Sequence, residues 1–334
     1  MKNTFGSALG LTIFGESHGA GVGAVLDGMA AGVPVDQAAL AALMDKRRAR
    51  GDGLSTARVE ADEIRILSGV VDGHTTGTPI TLLIENHNTR SADYAATAAL
   101  LRPGHADYTA YARYRGFQDA RGGGHFSGRI TAGLVAGGGV VLGALERAGV
   151  RIATHIARCA GLADTPFAQD DPAALAAQLD VLAARGAGFA LLDQSAEAPM
   201  QAAIRAAGSE GDSVGGILET AILGLPAGVG EPFFDSVESV LAHMAFSVPA
   251  VKGIEFGAGF GFADLRGSQA NDPLRIRDGH IYTETNRNAG INGGLANGMP
   301  VLYRTVVKPT PSIYKEQRTV DYKAGENASL SIKG

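Results

Sequence analysis

The chain has 334 residues, 45% hydrophobic and 19% charged, with a net charge of −5, which excludes a disordered polypeptide and a basic nucleic-acid binder. Cys159 is its single cysteine, which excludes an intrachain disulfide and a cysteine-based metal cage; a reducing, cytoplasmic setting is expected. The start, MKNTFGSALGLTIFGESHG, is broken by glycines and Glu16 and does not read as a signal peptide. The longest uncharged apolar run, Ile130–Leu145, has 16 residues, short of the roughly 20 that a membrane span needs, so it reads as a buried core helix and no membrane partner is expected.

In chain order, Leu11–Phe14 reads as a strand ending in the turn Gly15-Glu16-Ser17-His18-Gly19, and Val22–Met29 as a second strand. Asp36 is placed to cap a helix through QAALAALMDKRRA, with Leu40, Leu43 and Met44 at apolar spacing. That helix ends in Lys46, Arg47, Arg48 and Arg50. One or two cations there would match a helix C-terminus; four within five positions exceed that need and point to an anionic ligand. Ile64–Val71 and Thr78–Glu85 read as strands joined through Asp72-Gly73.

Arg102–Thr131 concentrates the chemistry. It holds five arginines (Arg102, Arg113, Arg115, Arg121, Arg129), two histidines (His105, His125) and the triplet Gly122-Gly123-Gly124. A helix starting at Ile130 aims its N-terminal N–H groups back at the glycines, and such groups beside arginines make an anion site. His105 follows Pro103-Gly104 and so lies at a constrained turn; imidazole suits proton transfer near neutral pH, which makes His18 and His105 the candidate acids. The glycine run is neither a Walker A loop nor a dinucleotide fingerprint, since no Gly-Lys pair occurs and no clean strand precedes it. No H-E-x-x-H or Cys/His spacing suggests a metal.

Farther on, 163–207 is alanine-rich and helical, with Asp171-Pro172 starting one helix and Gly186 stopping it. Val214–Leu225 reads as a strand, Phe234–Phe246 as a helix, Ile254 onward as strand and loop, and Ile276–Thr283 as a strand with a turn at Asp278-Gly279. Asn286–Ser312 reads as loop, ending in Lys308-Pro309-Thr310-Pro311-Ser312, which offers a cation and two hydroxyls on stiff backbone.

Gly15–Pro34 aligns without gaps with Gly211–Gly230, seven of twenty positions being identical. Two related halves, about 1–150 and 200–334, are therefore expected within one domain. The second copy has Val214 where the first has His18, so the shared backbone does not require that histidine. GESHG also matches the nucleophile elbow of serine hydrolases, but that motif needs a helix straight after the serine, and here Gly19, Gly21, Gly23 and a strand-like run follow.

GESHG, RPGHADYT, RGGGHFSGRIT, EGDSVGG, FSVPAVKGIEFG, GSQANDP, NAGINGGLANG and KPTPSI stand in the order found in chorismate synthase, and the resemblance covers nearly the whole chain. It implies an α+β fold, a sandwich with helices between antiparallel sheets, assembled as a homotetramer. It implies elimination of phosphate from 5-enolpyruvylshikimate 3-phosphate to give chorismate, dependent on reduced FMN. NADPH enters only as a reductant, through a separate flavin reductase. By resemblance His18 stands near the leaving phosphate and His105 near the flavin. Arg47, Arg102 and Arg129 grip the substrate, with Arg48 beside them. His125, Phe126, Ser127, Pro249, Ala250, Gly293, Lys308, Pro309, Thr310, Pro311 and Ser312 line the FMN.

The sequence departs from the family pattern at Gly53, where some members carry an arginine, so that one anion contact is either absent or supplied by Arg50. It also stops at Gly334, where the family continues with an Arg-His-Asp-Pro-Cys segment. The expectation is a chain lacking that segment, binding FMN weakly and turning over poorly; the competing class is a non-catalytic flavin- or phosphosugar-binding protein.

Overall fold

The computed structural model describes residues 2–55, 60–87 and 99–332. The last two residues, where the expectation about the C-terminal segment falls, lie outside them. The fold is α+β, and every strand pairing among the described residues is antiparallel. The chain divides into two compact units: Met1–Ala144, Arg205–Ser213 and Thr310–Gly334 form the first, and Leu145–Ile204 and Val214–Pro309 the second.

The first unit opens with β1 (Thr4–Phe5), β2 (Gly10–Gly15) and β3 (Gly21–Asp27), then helix α1 (Gln37–Arg47). β4 (Arg65–Ser68), the small hairpin β5 (Val70–Val71) and β6 (His74–Thr75), and β7 (Ile80–Glu85) follow. Asp72-Gly73 turns that small hairpin instead of joining two long strands, because Gly69, at φ +81°, breaks the first run. The main sheet runs β1-β2-β3-β7-β4. Residues of β3 and β7 that share a face meet as Val22–Ile84, Ala24–Leu82 and Leu26–Ile80, all buried. Successive side chains of a strand point to opposite faces, so these six residues form one apolar face.

Asp36 caps α1 by accepting from the Ala38 and Ala39 N–H groups at 2.9 and 3.0 Å. Leu40 and Met44 of α1 are buried in the same core. After α2 (Asp107–Tyr114), a short helical turn at Gly128–Ile130 leads into α3 (Thr131–Arg147). Gly128–Arg147 spans 20 residues with mean hydropathy 1.5, more than the 16-residue run suggested, and by length and composition alone it is long enough to cross a membrane. Its small residues instead line the core of the first unit: Ala132, Ala136 and Val140 are buried beside the β3–β7 face. A methyl at Gly133 would lie 2.4 Å from the Gly23 carbonyl oxygen, and one at Gly137 2.5 Å from Leu11 Cδ1. Helix and sheet approach this closely because side chains are missing.

The second unit holds a second five-stranded sheet, built from β8 (Arg151–Cys159), β9 (Leu162–Ala163), β10 (Gly216–Leu223), β11 (Val251–Phe256) and a later strand, Val301–Val307. Its order is β11, Val301–Val307, β10, β8, β9. Helices α4 (Pro172–Ala184), α5 (Glu197–Ser209) and α6 (Val237–Ser247) stand where the alanine-rich and apolar spacing placed helices. The β8 strand and the Val301–Val307 strand fall in stretches read as undetermined and as loop. Each has its buried positions fixed by a neighbouring strand rather than by strict alternation. Ile276–Thr283 is a hairpin, Leu274–Arg277 paired with His280–Thr283 about Asp278-Gly279. The repeat places β3 and β10 at equivalent steps, and each is the central strand of its own sheet.

The packing of α3 gives a direct test. Gly133→Ala is expected to destabilise the protein by about 1–3 kcal/mol, because the new methyl meets a backbone carbonyl that cannot swing away. Gly138→Ala, on the same helix with no heavy atom within 4 Å of the added methyl, is expected to gain up to about 1 kcal/mol from helix propensity. Urea unfolding of both variants reads the contrast, and equal shifts would contradict this packing.

Candidate active site

All the candidate catalytic and substrate-binding residues lie in the first unit. The hairpin between β2 and β3 carries Ser17 and His18. The Ser17 N–H donates to the Gly124 carbonyl at 3.1 Å, which fastens this turn to the triple glycine. The three glycines have φ of +57°, +84° and +53°, the left-handed region that residues with a Cβ adopt only at a cost. Their bare backbone is the floor of the site. A methyl on Gly122 would lie 2.2 Å from His18 Cε1, and one on Gly123 would lie 2.9 Å from His105 Cε1. Consecutive glycines thus receive the two imidazoles that the sequence singled out, although these lie 87 residues apart in number (105 − 18).

His105 is set by its own turn. Pro103-Gly104, with Gly104 at φ +71°, reverses the chain so that the His105 N–H donates to the Arg102 carbonyl at 3.2 Å. Asp107, in the first turn of α2, then binds both neighbours. It accepts from Arg102 Nε and Nη2 at 2.8 Å each, and stands 2.7 Å from His105 Nδ1. Nδ1 also stands 3.1 Å from Arg102 Nη2, but the carboxylate is nearer and only accepts, which assigns the proton to Nδ1 and leaves Nε2 as the open end. Burial alone would raise the Asp107 carboxyl, but the hydrogen bonds from Arg102 and His105 outweigh it and hold the group well below the usual carboxylate range.

A second cluster stands beside the first. Arg129 follows the glycines in the Gly128–Ile130 turn and is buried. Its Nε donates to Asn86 Oδ1 at 2.9 Å, its Nη2 to the Glu85 carbonyl at 3.3 Å, and its Nη1 to Asp62. Asn86 in turn donates to the Glu16 and Gly19 carbonyls at 3.0 Å each, which ties Arg129 to the turn that bears His18. Arg47, at the end of α1, donates to the other oxygen of Asp62. Burial first, and then the Arg129 cation, press the Arg47 guanidinium below its ordinary range, with Asp62 acting in the opposite sense.

The remaining candidates divide. Arg48 turns to Asp45 on its own helix and reaches the Ala61 carbonyl at 3.4 Å, and Arg50 also donates to Asp45, at 3.1 Å. Arg113, Arg115 and Arg121 are exposed, and Arg121 is paired with Asp119. Hydrogen bonds from Arg121 hold the Asp119 carboxyl below its usual range against the opposing effect of burial, with a smaller contribution from His18. The His125 ring is engaged with the Gly15 carbonyl at 2.8 Å and Asn3 Oδ1 at 3.3 Å, while Phe126 is exposed and Ser127 caps the Gly128–Ile130 turn. Thr310 accepts from Ser213 Oγ at 2.8 Å, Pro311 accepts from Gln317 Nε2 at 3.4 Å, and Ser312 is half-buried. In the second unit, Ala250 has φ +72° and accepts from the Lys308 N–H at 2.9 Å; Pro249 precedes it and Pro309 follows Lys308. Gly293 sits at φ +60° in a two-residue turn with open space where a Cβ would be.

Sequence reading missed Asp62, Asn86 and Asp107. Asp107 stands inside RPGHADYT and would have been found by asking what neutralises an arginine–histidine pair. Asp62 and Asn86 carry no local signal, because their partners lie 15 to 67 residues away. The hydrolase reading of Ser17 fails on geometry: Ser17 is 1% exposed, and β3, not a helix, follows it.

Fold and site together define an α+β protein in which two imidazoles meet a triple-glycine turn beside arginines paired with carboxylates. A profile of the chorismate synthase family matches residues 9–334. The chorismate synthase of Dehalococcoides mccartyi is 44% identical over 335 aligned positions, spanning 100% of this chain and 90% of that protein. That of Methanosarcina barkeri is 44% identical, spanning 99% and 88%, and that of Pyrococcus abyssi 43%, spanning 98% and 89%. A crystal structure of chorismate synthase superposes with a TM-score of 0.74 at 26% identity, covering 91% of this chain and 84% of its own. The chain belongs to the chorismate synthase family.

Two outcomes test the geometry of the site. Gly122→Ala should lower turnover at least about tenfold, since the added methyl occupies the place of the His18 ring and reacting groups tolerate little displacement; steady-state kinetics with thermal unfolding as a control would show it. Asp107 gives a signed pH effect. Its folded-state titration is depressed, so its stabilisation is complete above the ordinary carboxylate pKa near 4 and fades as pH falls towards the lower folded value. Asp107→Asn is therefore expected to be about 1–3 kcal/mol less stable than the parent at pH 7, with the gap narrowing below about pH 4 in urea titrations.

Proposed function

We propose that this chain is a carbon–oxygen lyase that eliminates phosphate and a ring proton from 5-enolpyruvylshikimate 3-phosphate to give chorismate, with reduced FMN as cofactor. The observation that carries the reading is the placement of His18 and His105 on adjacent glycines beside two counter-charged arginines, Arg129 buried and Arg102 half-buried. Family membership supports the same reading.

The substrate carries two carboxylates and a phosphate. Cations held in place before it arrives stabilise charge that develops on the leaving oxygen without reorganising. In this reading Arg47 and Arg102 meet the anionic groups, Arg129 backs them from the interior, and Arg48 has a lesser part. His18 holds a proton for the departing phosphate. His105, oriented through Nδ1 by Asp107, holds one at Nε2.

The residues of the first unit fit an anionic, planar cofactor. In this reading the Phe126 ring, exposed at 37%, meets the planar ring system, while the Gly123 face is filled by His105 and the Ser127 N–H donates to the Gly124 carbonyl at 3.4 Å. Because the His125 ring is committed to Gly15 and Asn3, His125 is assigned a main-chain contact. Pro249, Ala250, Gly293, Lys308 and Pro309 of the second unit, and Thr310, Pro311 and Ser312 of the first, are assigned to FMN through the sequence motifs that contain them. Reduced FMN, when bound, supplies electron density as the C–O bond breaks and recovers it afterwards. NADPH then serves only as a reductant, through a separate reductase.

We extend the proposal to a cytoplasmic homotetramer. Phe233, Phe234 and Phe260 are 91%, 93% and 85% exposed, side chains of the kind that a subunit interface would cover.

Single-turnover phosphate release under anaerobic conditions with photoreduced FMN tests the activity. The parent chain is expected to release phosphate and form chorismate, with His18→Ala and His105→Ala each slower by roughly 10²–10⁴-fold. Binding of FMN and substrate without phosphate release would instead identify a non-catalytic binding protein.

A further inference from the structure

We propose that Asp62 is a positioning residue for substrate capture: buried between two arginines, it aims the Arg47 guanidinium at the oxyanion of the incoming substrate. This rests on the substrate reading above and extends it to a residue that neither the sequence motifs nor the family comparison singled out.

The two oxygens of Asp62 are divided, Oδ1 receiving Arg129 and Oδ2 receiving Arg47. The two cations differ in exposure. The Arg129 side chain is 6% exposed and the Arg47 side chain 21%, with the Asp62 side chain at 2% between them. Arg129 also donates to Asn86 and Glu85, so it is anchored on three sides. Arg47, among the described residues, donates to Asp62 alone, and only through Nη1, which leaves most of its planar fork for another acceptor. The order is therefore an anchored inner cation, a buried carboxylate and an outer cation.

Charge explains why the carboxylate is needed. Two guanidiniums sharing one partly dehydrated site repel each other, and the depressed titration of Arg47 registers that repulsion together with its burial. Asp62 leaves the trio with a net charge of +1, enough to attract an oxyanion but compact enough to persist before one arrives. Without the carboxylate, the outer arginine gains by swinging into water. An anion would then have to recapture and order a long side chain, which weakens binding. The Asp62 backbone stands at φ +54°, a conformation that non-glycine residues adopt at a cost and that recurs where geometry serves a site.

The test is a double-mutant cycle with Arg47→Ala, Asp62→Asn and the two combined. The dissociation constant of 5-enolpyruvylshikimate 3-phosphate is measured by calorimetry with oxidised FMN present, and kcat and KM with photoreduced FMN. Arg47→Ala is expected to weaken binding at least about tenfold. Asp62→Asn should weaken it by a similar factor, raising KM more than it lowers kcat, and should add little in the Arg47→Ala background. Parent-like affinity in Asp62→Asn, or effects that multiply in full in the double variant, would overturn the proposal while leaving the substrate reading intact. Unchanged affinity in Arg47→Ala would overturn the substrate reading and the proposal with it. Should Asp62→Asn prove too unstable to purify, Asp62→Glu carries the same comparison, since the extra methylene displaces the guanidinium while keeping every charge. It is expected to weaken binding alone but not further in the Arg47→Ala background.

Discussion

Two missing methyl groups set the geometry of the site. Gly122 and Gly123 let the main chain pass within van der Waals contact of two imidazoles that arrive on separate segments, one from a β-hairpin and one from the turn before α2. Their positive φ angles reverse the chain so that each glycine offers its bare face to a different ring. Van der Waals contact rises steeply on compression, so this floor fixes the ring positions more tightly than surface hydrogen bonds could. The same economy recurs behind the site, where Gly133 and Gly137 bring α3 against β3 and β2. A protein with 47 glycines and no tryptophan obtains its close approaches by leaving side chains out.

Packing alone would not hold a cluster of arginines together. Each inward-facing guanidinium has a buried or half-buried carboxylate as its counterpart: Asp62 for Arg47 and Arg129, and Asp107, which also meets the His105 ring, for Arg102. These carboxylates serve two ends. They offset the loss of water around the guanidiniums, and they spend directional hydrogen bonds on fixing side chains that otherwise have several rotatable bonds. The outward-facing Arg48 and Arg121 pair instead with acids two or three residues away, where solvent screens the charge and the pairing does little beyond local order.

The repeat separates scaffold from chemistry. Gly15–Pro34 and Gly211–Gly230 each deliver a strand to the middle of a five-stranded antiparallel sheet. Ser17 and Ser213 are both tied to backbone at the head of their strand, as a turn requires. The histidine belongs to one copy only, so it answers to what surrounds the first turn rather than to the turn itself.

Most of the local structure was legible in the sequence because it rests on short-range rules. Asp36 and Asp171 begin α1 and α4 as capping chemistry dictates, and short apolar runs mark β3 and β7. The motifs named the two histidines and the arginines, and the mismatch between repeat copies marked His18. Three things were settled only in three dimensions: which arginines turn inward, that Arg129 is an interior anchor, and that Asp62 and Asn86 complete the cluster. The strand Val301–Val307 was likewise hidden until its neighbours β10 and β11 supplied partners on both sides. Caps, turns and periodicity act across a few residues and leave a local trace. The partner of a buried charge is chosen by where distant segments meet, and no local pattern records that meeting.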